Sequence, residues 1–186
     1  MTGSYPPEVW QRASLIKLLL LDVDGVLTDG RLFFDKKGEA FKVFHVRDGH
    51  GIKMLQLAGV EVAFLSGRRS DAAYHRAREL DIQRFHEGLR DKAPVLEQVK
   101  EALGLQYEEI ATVADDLVDL PLMSRVGLAV AVADAVPEVK DAAHWVTTLP
   151  GGRGAVREVC DLILKARGQW DDLLKRWQTA ALIEKT

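Results

Sequence analysis

Asp22 and Asp24 stand two positions apart in Asp22-Val23-Asp24-Gly25-Val26-Leu27-Thr28, directly after the apolar run Leu18-Leu19-Leu20-Leu21. Carboxylates held that close repel each other, so the site calls for a divalent cation, a shared proton, or both. Carboxylate oxygens are hard ligands and suit Mg²⁺. Three further groups follow in chain order: Ser66-Gly67-Arg68, then Lys92, then Asp115-Asp116-Leu117-Val118-Asp119. Taken singly, each has an ordinary explanation. Ser66-Gly67 reads as a turn with Ser66 capping a helix, Lys92 as a solvated lysine, and Asp116 and Asp119 as acids complementing a helix start. The five histidines show no metal-ligand spacing, and Cys160, the only cysteine, reads as a packing residue.

The leucine run reads as a buried strand. Alternation along it would turn Asp22 and Asp24 the same way, at the carboxyl end of a central strand, where open α/β sheets bind ligands. Residues 60–65 form a second strand ending at Ser66, 110–114 a third ending at Asp115, 127–131 a fourth, and Trp145-Val146 a short fifth. Helical patterns lie at 69–80, 92–103, 137–142 and 153–166. This alternation predicts an α/β fold with a doubly wound, mainly parallel, Rossmann-like sheet. One segment breaks the rhythm. Residues 31–35 and 40–44, joined by Lys36-Lys37-Gly38-Glu39, read as a β-hairpin projecting over the mouth of the site. Phe33, Phe34, Phe41 and Phe44 cannot all be buried under two strands, and an isolated ribbon is marginal in water, so the hairpin is expected to pack on another subunit.

At 186 residues the chain fits one domain, 1–186, with the hairpin at about 31–44 and a helix-like tail at about 168–186 carrying Trp170, Leu173, Leu174 and Trp177 on one face. With 25 basic against 28 acidic residues, net charge −3, no polyanion-binding surface is implied, so nucleic acid is a poor partner. No apolar run reaches membrane-spanning length. Met1 to Trp10 lacks a secretory pattern, and a lone cysteine suits a reducing cytoplasm.

Taken in order, the four groups resemble the haloacid dehalogenase superfamily of phosphotransferases, which carries DxD on the first strand, a Ser or Thr on the second, then a Lys, then an acidic pair. Asp29-Gly30, Val46-Arg47-Asp48-Gly49-His50-Gly51-Ile52 and Gly151-Gly152-Arg153-Gly154-Ala155-Val156-Arg157-Glu158 extend the likeness. Over about residues 15–168 the chain is similar to the 3-deoxy-D-manno-octulosonate 8-phosphate (KDO 8-phosphate) phosphatase family. That resemblance implies Mg²⁺-dependent hydrolysis of a phosphorylated 3-deoxy-2-keto sugar acid in lipopolysaccharide precursor synthesis, with a nine-carbon acid as the alternative substrate. It makes Asp22 the nucleophile that forms an aspartyl-phosphate, and Asp24 the acid and base. Mg²⁺ would be held by Asp22, the backbone carbonyl of Asp24, and Asp115. Asp116 and Asp119 would orient metal waters or the Lys92 ammonium. Ser66, with Gly67, would bind a phosphate oxygen, and Lys92 would offset charge on nucleophile and phosphate. Arg68 and Arg76 would grip the sugar carboxylate, Arg76 reading equally well as a surface helix arginine, with Arg47 and Arg157 as further carboxylate or intersubunit contacts. The family usually has glycine where this chain has Ala114; no strain is expected if the residue ends a strand.

Neither gap between motifs has room for a cap domain: the first holds the hairpin and one helix, the second one helix and a short strand. By resemblance a homotetramer in which hairpins act as lids is expected. Two readings of another class compete, a signalling receiver module and a catalytically idle oligomerisation module. The receiver carries its phosphoacceptor at the end of its third strand, and here no aspartate ends the strand at 60–65. The idle module would be expected to have lost residues of the Asp22, Asp24, Lys92, Asp115 set.

Overall fold

The computed structural model describes residues 5–178. Its six-stranded parallel sheet has the order β5-β4-β1-β6-β7-β8, from β1 (Leu18–Asp22), β4 (Glu61–Leu65), β5 (Arg84–His86), β6 (Ile110–Ala114), β7 (Leu128–Ala131) and β8 (Trp145–Val146). β1 is central, and Leu18 to Leu21 are fully buried, which is why the strand is apolar on both faces. From β1 the chain builds outward through β4 to β5, then returns to the other side of β1 for β6 to β8. The carboxyl ends of β1 and β6 therefore lie side by side where the winding reverses, the usual place for a ligand in such sheets.

Helices cover both faces. α1 (Pro7–Ser14), α2 (Val46–Leu57), α7 (Ala155–Ala166) and α8 (Trp170–Gln178) pack together, while α4 (Ala93–Leu103), α5 (Leu120–Met123) and α6 (Pro137–Ala142) pack together elsewhere. α3 (Asp71–Glu79) lies beside α2, with Arg76 and Leu80 against Gly49. The doubly wound α/β class holds. α1, which the periodicity did not indicate, buries only Val9 and Ala13, too few positions to show as a stripe.

Several boundaries move for local reasons. α3 starts at Asp71 instead of residue 69 because the Ser70 side chain accepts from Ala73 N–H as its cap. α7 starts at Ala155 instead of 153 because Gly154 has φ 113°, outside helical space. Lys92 precedes α4 as its cap residue, and Asp91 accepts from Ala93 N–H. Ala114 has no positive φ and ends β6, so the alanine causes no strain.

The hairpin is tighter than predicted. β2 (Phe33–Asp35) and β3 (Gly38–Phe41) are joined by a two-residue turn at Lys36-Lys37. Phe33 stacks on Phe41 at 4.5 Å, whereas Phe34 and Phe41 are 61% and 52% exposed. Phe44 falls outside the hairpin and packs against the core. Between β1 and β4 the chain adds only this hairpin and α2, and between β4 and α4 only α3 and β5, so neither gap holds a cap domain. In the tail, Leu173 is buried and Trp170 and Trp177 pack against the chain's own core, while Leu174 is 37% exposed. The part of the tail beyond Gln178 lies outside the described residues.

Candidate active site

β1 ends at Asp22, and the chain then turns through Val23–Leu27 with Asp24 at φ −84°, ψ 110° and Gly25 at φ 98°. Asp24 is thus a loop residue, and strand alternation does not orient it. Its carboxylate goes to Lys42, with Nζ 2.5 Å from Oδ1. Asp22 Oδ1 accepts instead from Lys92 Nζ at 2.5 Å, and the same ammonium donates to Asp119 Oδ1 at 2.7 Å. Lys92 is 3% exposed, so it is no solvated lysine.

β6 delivers the third carboxylate. Val113 pairs with Leu21, and Asp115 follows one residue past the strand end, against Gly25. A Cβ on Gly25 would lie 2.0 Å from Asp115 Oδ2, so both the positive φ and this close approach require glycine there. One carboxylate oxygen each from Asp22, Asp115 and Asp119 lies within 4.8 Å of the others. Asp119 joins this cluster as well as holding Lys92; Asp24 contributes no side-chain oxygen to it. Asp116 is exposed and accepts from Leu117 N–H, the helix-start role open to it from the sequence.

Burial pushes Asp22 up to about 7, with Lys92 pulling down and Asp119 pushing further up. Asp115 is also raised to about 7, by burial first and then by the charges of Asp22, Asp119 and Asp116. Burial raises Asp119 too. Burial opposes the charge on Lys92, but Asp22 and Asp119 outweigh it and hold the ammonium above its ordinary value. Three carboxyls cluster around one ammonium, which bonds two of them, Asp22 and Asp119, and Asp119 Oδ2 is buried without a hydrogen-bond partner among the described residues. This all-oxygen, charge-excess donor set fits a hard divalent cation.

Ser66 adjoins the cluster, because Asp22 pairs with Leu65 in the sheet. Its hydroxyl closes the turn, donating to Arg68 C=O at 2.9 Å and lying 3.2 Å from Arg68 N–H. Gly67 and Arg68 are exposed at the same sheet edge. Arg76 is carried by α3. It sits in a groove of about 520 Å³ with Phe41, Lys42, Phe44, His75 and Glu79, its guanidinium 5.8 Å over the Phe44 ring and paired to Glu79. Arg47 is exposed on the first turn of α2. Arg157 N–H donates to Asp48, and its side chain pairs with Asp161.

Two of the glycine motifs prove to be supports. Asp48, on α2, accepts from Gly154 and Arg157 N–H at the start of α7, and burial pushes its carboxyl up. Gly151 and Gly152 press against the loop carrying Asp24, with Gly152 N–H donating to Val26 C=O at 2.9 Å. Lys42 is the functional candidate missed by sequence reasoning. Its flanks, Phe41 and Val43, were the available signal, since a lysine among apolar residues either snorkels or finds a buried partner.

A sequence-family model described as haloacid dehalogenase-like hydrolase matches residues 86–156. The 3-deoxy-D-manno-octulosonate 8-phosphate phosphatase of Yersinia pestis is 47% identical over 165 residues, covering 89% of this chain and 88% of that protein. The chain belongs to the haloacid dehalogenase-like hydrolases, in the KDO 8-phosphate phosphatase family. The Yersinia pestis enzyme's crystal structure superposes with a TM-score of 0.87 at 46% identity, covering 89% of each chain. A family structure from Moraxella catarrhalis, in complex with a magnesium ion, a phosphate ion and KDO, gives a TM-score of 0.90 at 36% identity, covering 93% of this chain and 99% of that one. Family membership sets aside the receiver reading. Among the described residues no helix is long and apolar enough to cross a membrane.

Proposed function

We propose that this protein hydrolyses KDO 8-phosphate to the free sugar acid and phosphate, as an Mg²⁺-dependent phosphatase in lipopolysaccharide precursor synthesis. The observation that carries the reading is Asp22 at the end of the central strand, ion-paired to buried Lys92 within a cluster of three carboxylates. Family membership with the Yersinia pestis and Moraxella catarrhalis phosphatases supplies the substrate.

In this reading an Asp22 carboxylate oxygen attacks phosphorus and forms an aspartyl-phosphate, which water then hydrolyses. Asp24 gives a proton to the departing sugar oxygen and later takes one from the attacking water. Lys92 offsets negative charge on nucleophile and phosphoryl group, and Ser66 turns its hydroxyl from Arg68 C=O to a phosphate oxygen. Asp22, Asp115 and the backbone carbonyl of Asp24 hold Mg²⁺, with Asp119 beside them positioning Lys92. The bound cation lowers the charge repulsion that an anionic nucleophile meets at a phosphate ester. Arg68 binds the sugar carboxylate at the mouth, and Arg76 and Arg47 extend that basic margin. The working form is a cytoplasmic homotetramer whose hairpins cover neighbouring sites, with one phosphatase domain per chain.

Phosphate release across a panel of eight- and nine-carbon phosphorylated keto acids, with and without Mg²⁺, tests the assignment. KDO 8-phosphate should give the highest kcat/KM, chelation should abolish turnover, and Asp22→Asn should abolish it in a folded protein. Full turnover by Asp22→Asn would exclude it as nucleophile, and preference for a nine-carbon ester would reassign the substrate.

A further inference from the structure

Two lysines reach the carboxylates of this site from different directions. Lys92 comes from the start of α4 and serves Asp22 and Asp119; Lys42 comes from the end of the hairpin and serves Asp24. The superfamily motifs name the first and say nothing of the second. The geometry points to Lys42 as the positioning residue of Asp24, holding its carboxyl in the place from which it exchanges a proton with the sugar ester. This inference rests on the phosphatase reaction proposed above.

Lys42 directly follows β3, and its side chain is 1% exposed. Lysine is rarely buried to this degree without an anionic partner, and its Nζ stands 2.5 Å from Asp24 Oδ1. An ammonium has only donors, so it holds Oδ1 as an acceptor. Oδ2 is buried and has no hydrogen-bond partner among the described residues, so the pair with Lys42 is what holds this carboxyl. The pair also supplies what the backbone does not. Asp24 lies past the end of β1 in a loop, where no strand geometry fixes its χ1.

The steps balance with this one carboxyl in use. In the first, Asp22 oxygen bonds to phosphorus, the phosphorus–sugar oxygen bond breaks, and the sugar oxygen takes the electron pair and the Asp24 carboxyl proton. In the second, water oxygen bonds to phosphorus, its proton goes to the Asp24 carboxylate, and the phosphorus–Asp22 bond breaks.

Leaving-group dependence separates this role from a merely structural one. A sugar alkoxide needs a proton as it departs, whereas p-nitrophenolate leaves without one. We compare Lys42→Met, which keeps the length and removes the charge, with wild type on a phosphorylated sugar acid and on p-nitrophenyl phosphate. The expected result is a loss of about 100-fold in kcat on the sugar ester, in the range of general acid catalysis. The loss on the aryl ester should be smaller by about tenfold or more, and Lys42→Arg should recover most of the sugar-ester loss. Equal losses on both esters, or no loss on the sugar ester, would overturn the inference. If Lys42→Met does not fold, Lys42→Gln, which keeps a neutral donor, carries the same comparison. Whichever sugar phosphate the wild-type protein turns over serves as the first substrate, so an error in the KDO assignment is seen separately.

Discussion

Asp22, Asp115 and Asp119 are three acids in a space that one ammonium cannot neutralise, and the consequence is a linkage between protons and the cation. With Asp22 and Asp115 both raised to about 7, chiefly by burial, the metal-free protein holds protons that the unfolded chain, with values near 3.8, has released. The folded state binds more protons across that window. The metal-free protein should therefore lose stability as pH rises from about 4 to about 7, and added Mg²⁺ should reverse the loss. Mg²⁺ affinity should climb with pH below about 7, by up to about tenfold per pH unit for each proton released, and level off above it. Calorimetric titration from pH 5.5 to 8.5 reads this directly, and a flat affinity would contradict the coupling. How far these residues were legible from sequence depended on how their partners reach them. Asp22, Ser66 and Asp115 stand at strand ends, where a buried apolar run announces its own terminus. Lys92 has no such local mark and was placed only by the order of the motifs. Lys42 had only its apolar flanks as a mark of burial, and its partner was illegible, because the packing of a hairpin brings it to Asp24 from 18 residues away.

Elements position these groups by contact between backbones, and here glycines carry information that periodicity does not. A Cβ on Gly151 would lie 1.6 Å from the carbonyl oxygen of Gly25 and 3.2 Å from that of Thr28. Gly151→Ala must displace the loop that carries Asp24, with a stability cost of about 1–3 kcal/mol, as for other overpacked sites. Because the whole loop moves, turnover of sugar and aryl phosphates should fall together, unlike the selective loss expected at Lys42. Wild-type kcat on either ester in Gly151→Ala, alongside a denaturant midpoint unchanged from wild type, would show that the loop does not lean on this segment. The sheet and its strand order follow from alternating patterns that sequence displays well. Helix starts were displaced by caps such as Ser70 and by Gly154, features of one or two residues that a window over a helical turn averages away. Asp24 was assigned to the strand for the same reason, since the π-type turn after Asp22 continues the apolar composition without continuing the strand.

At the scale of the whole molecule, an open active site stands beside an apolar ribbon with too little of its own domain to cover it. Phe34 at 61%, Phe41 at 52% and Val43 at 57% exposure line the hairpin and its exit. A two-stranded ribbon is marginally stable alone in water, and patches of this kind mark contact surfaces. The same ribbon positions Lys42, so whatever orders it also orders the ammonium on Asp24. The proposed assembly and the proposed proton transfer would thereby be joined through a single short segment. Phe34→Glu, at an exposed position away from Lys42 in sequence, should convert the proposed tetramer to smaller species in sedimentation. It should also lower kcat for a sugar phosphate more than for p-nitrophenyl phosphate, echoing the Lys42→Met pattern. A wild-type protein that sediments as a monomer at micromolar concentration would refute the assembly. A dissociated Phe34→Glu protein with the wild-type ratio of sugar to aryl turnover would instead show that the hairpin holds Lys42 without help from a neighbour.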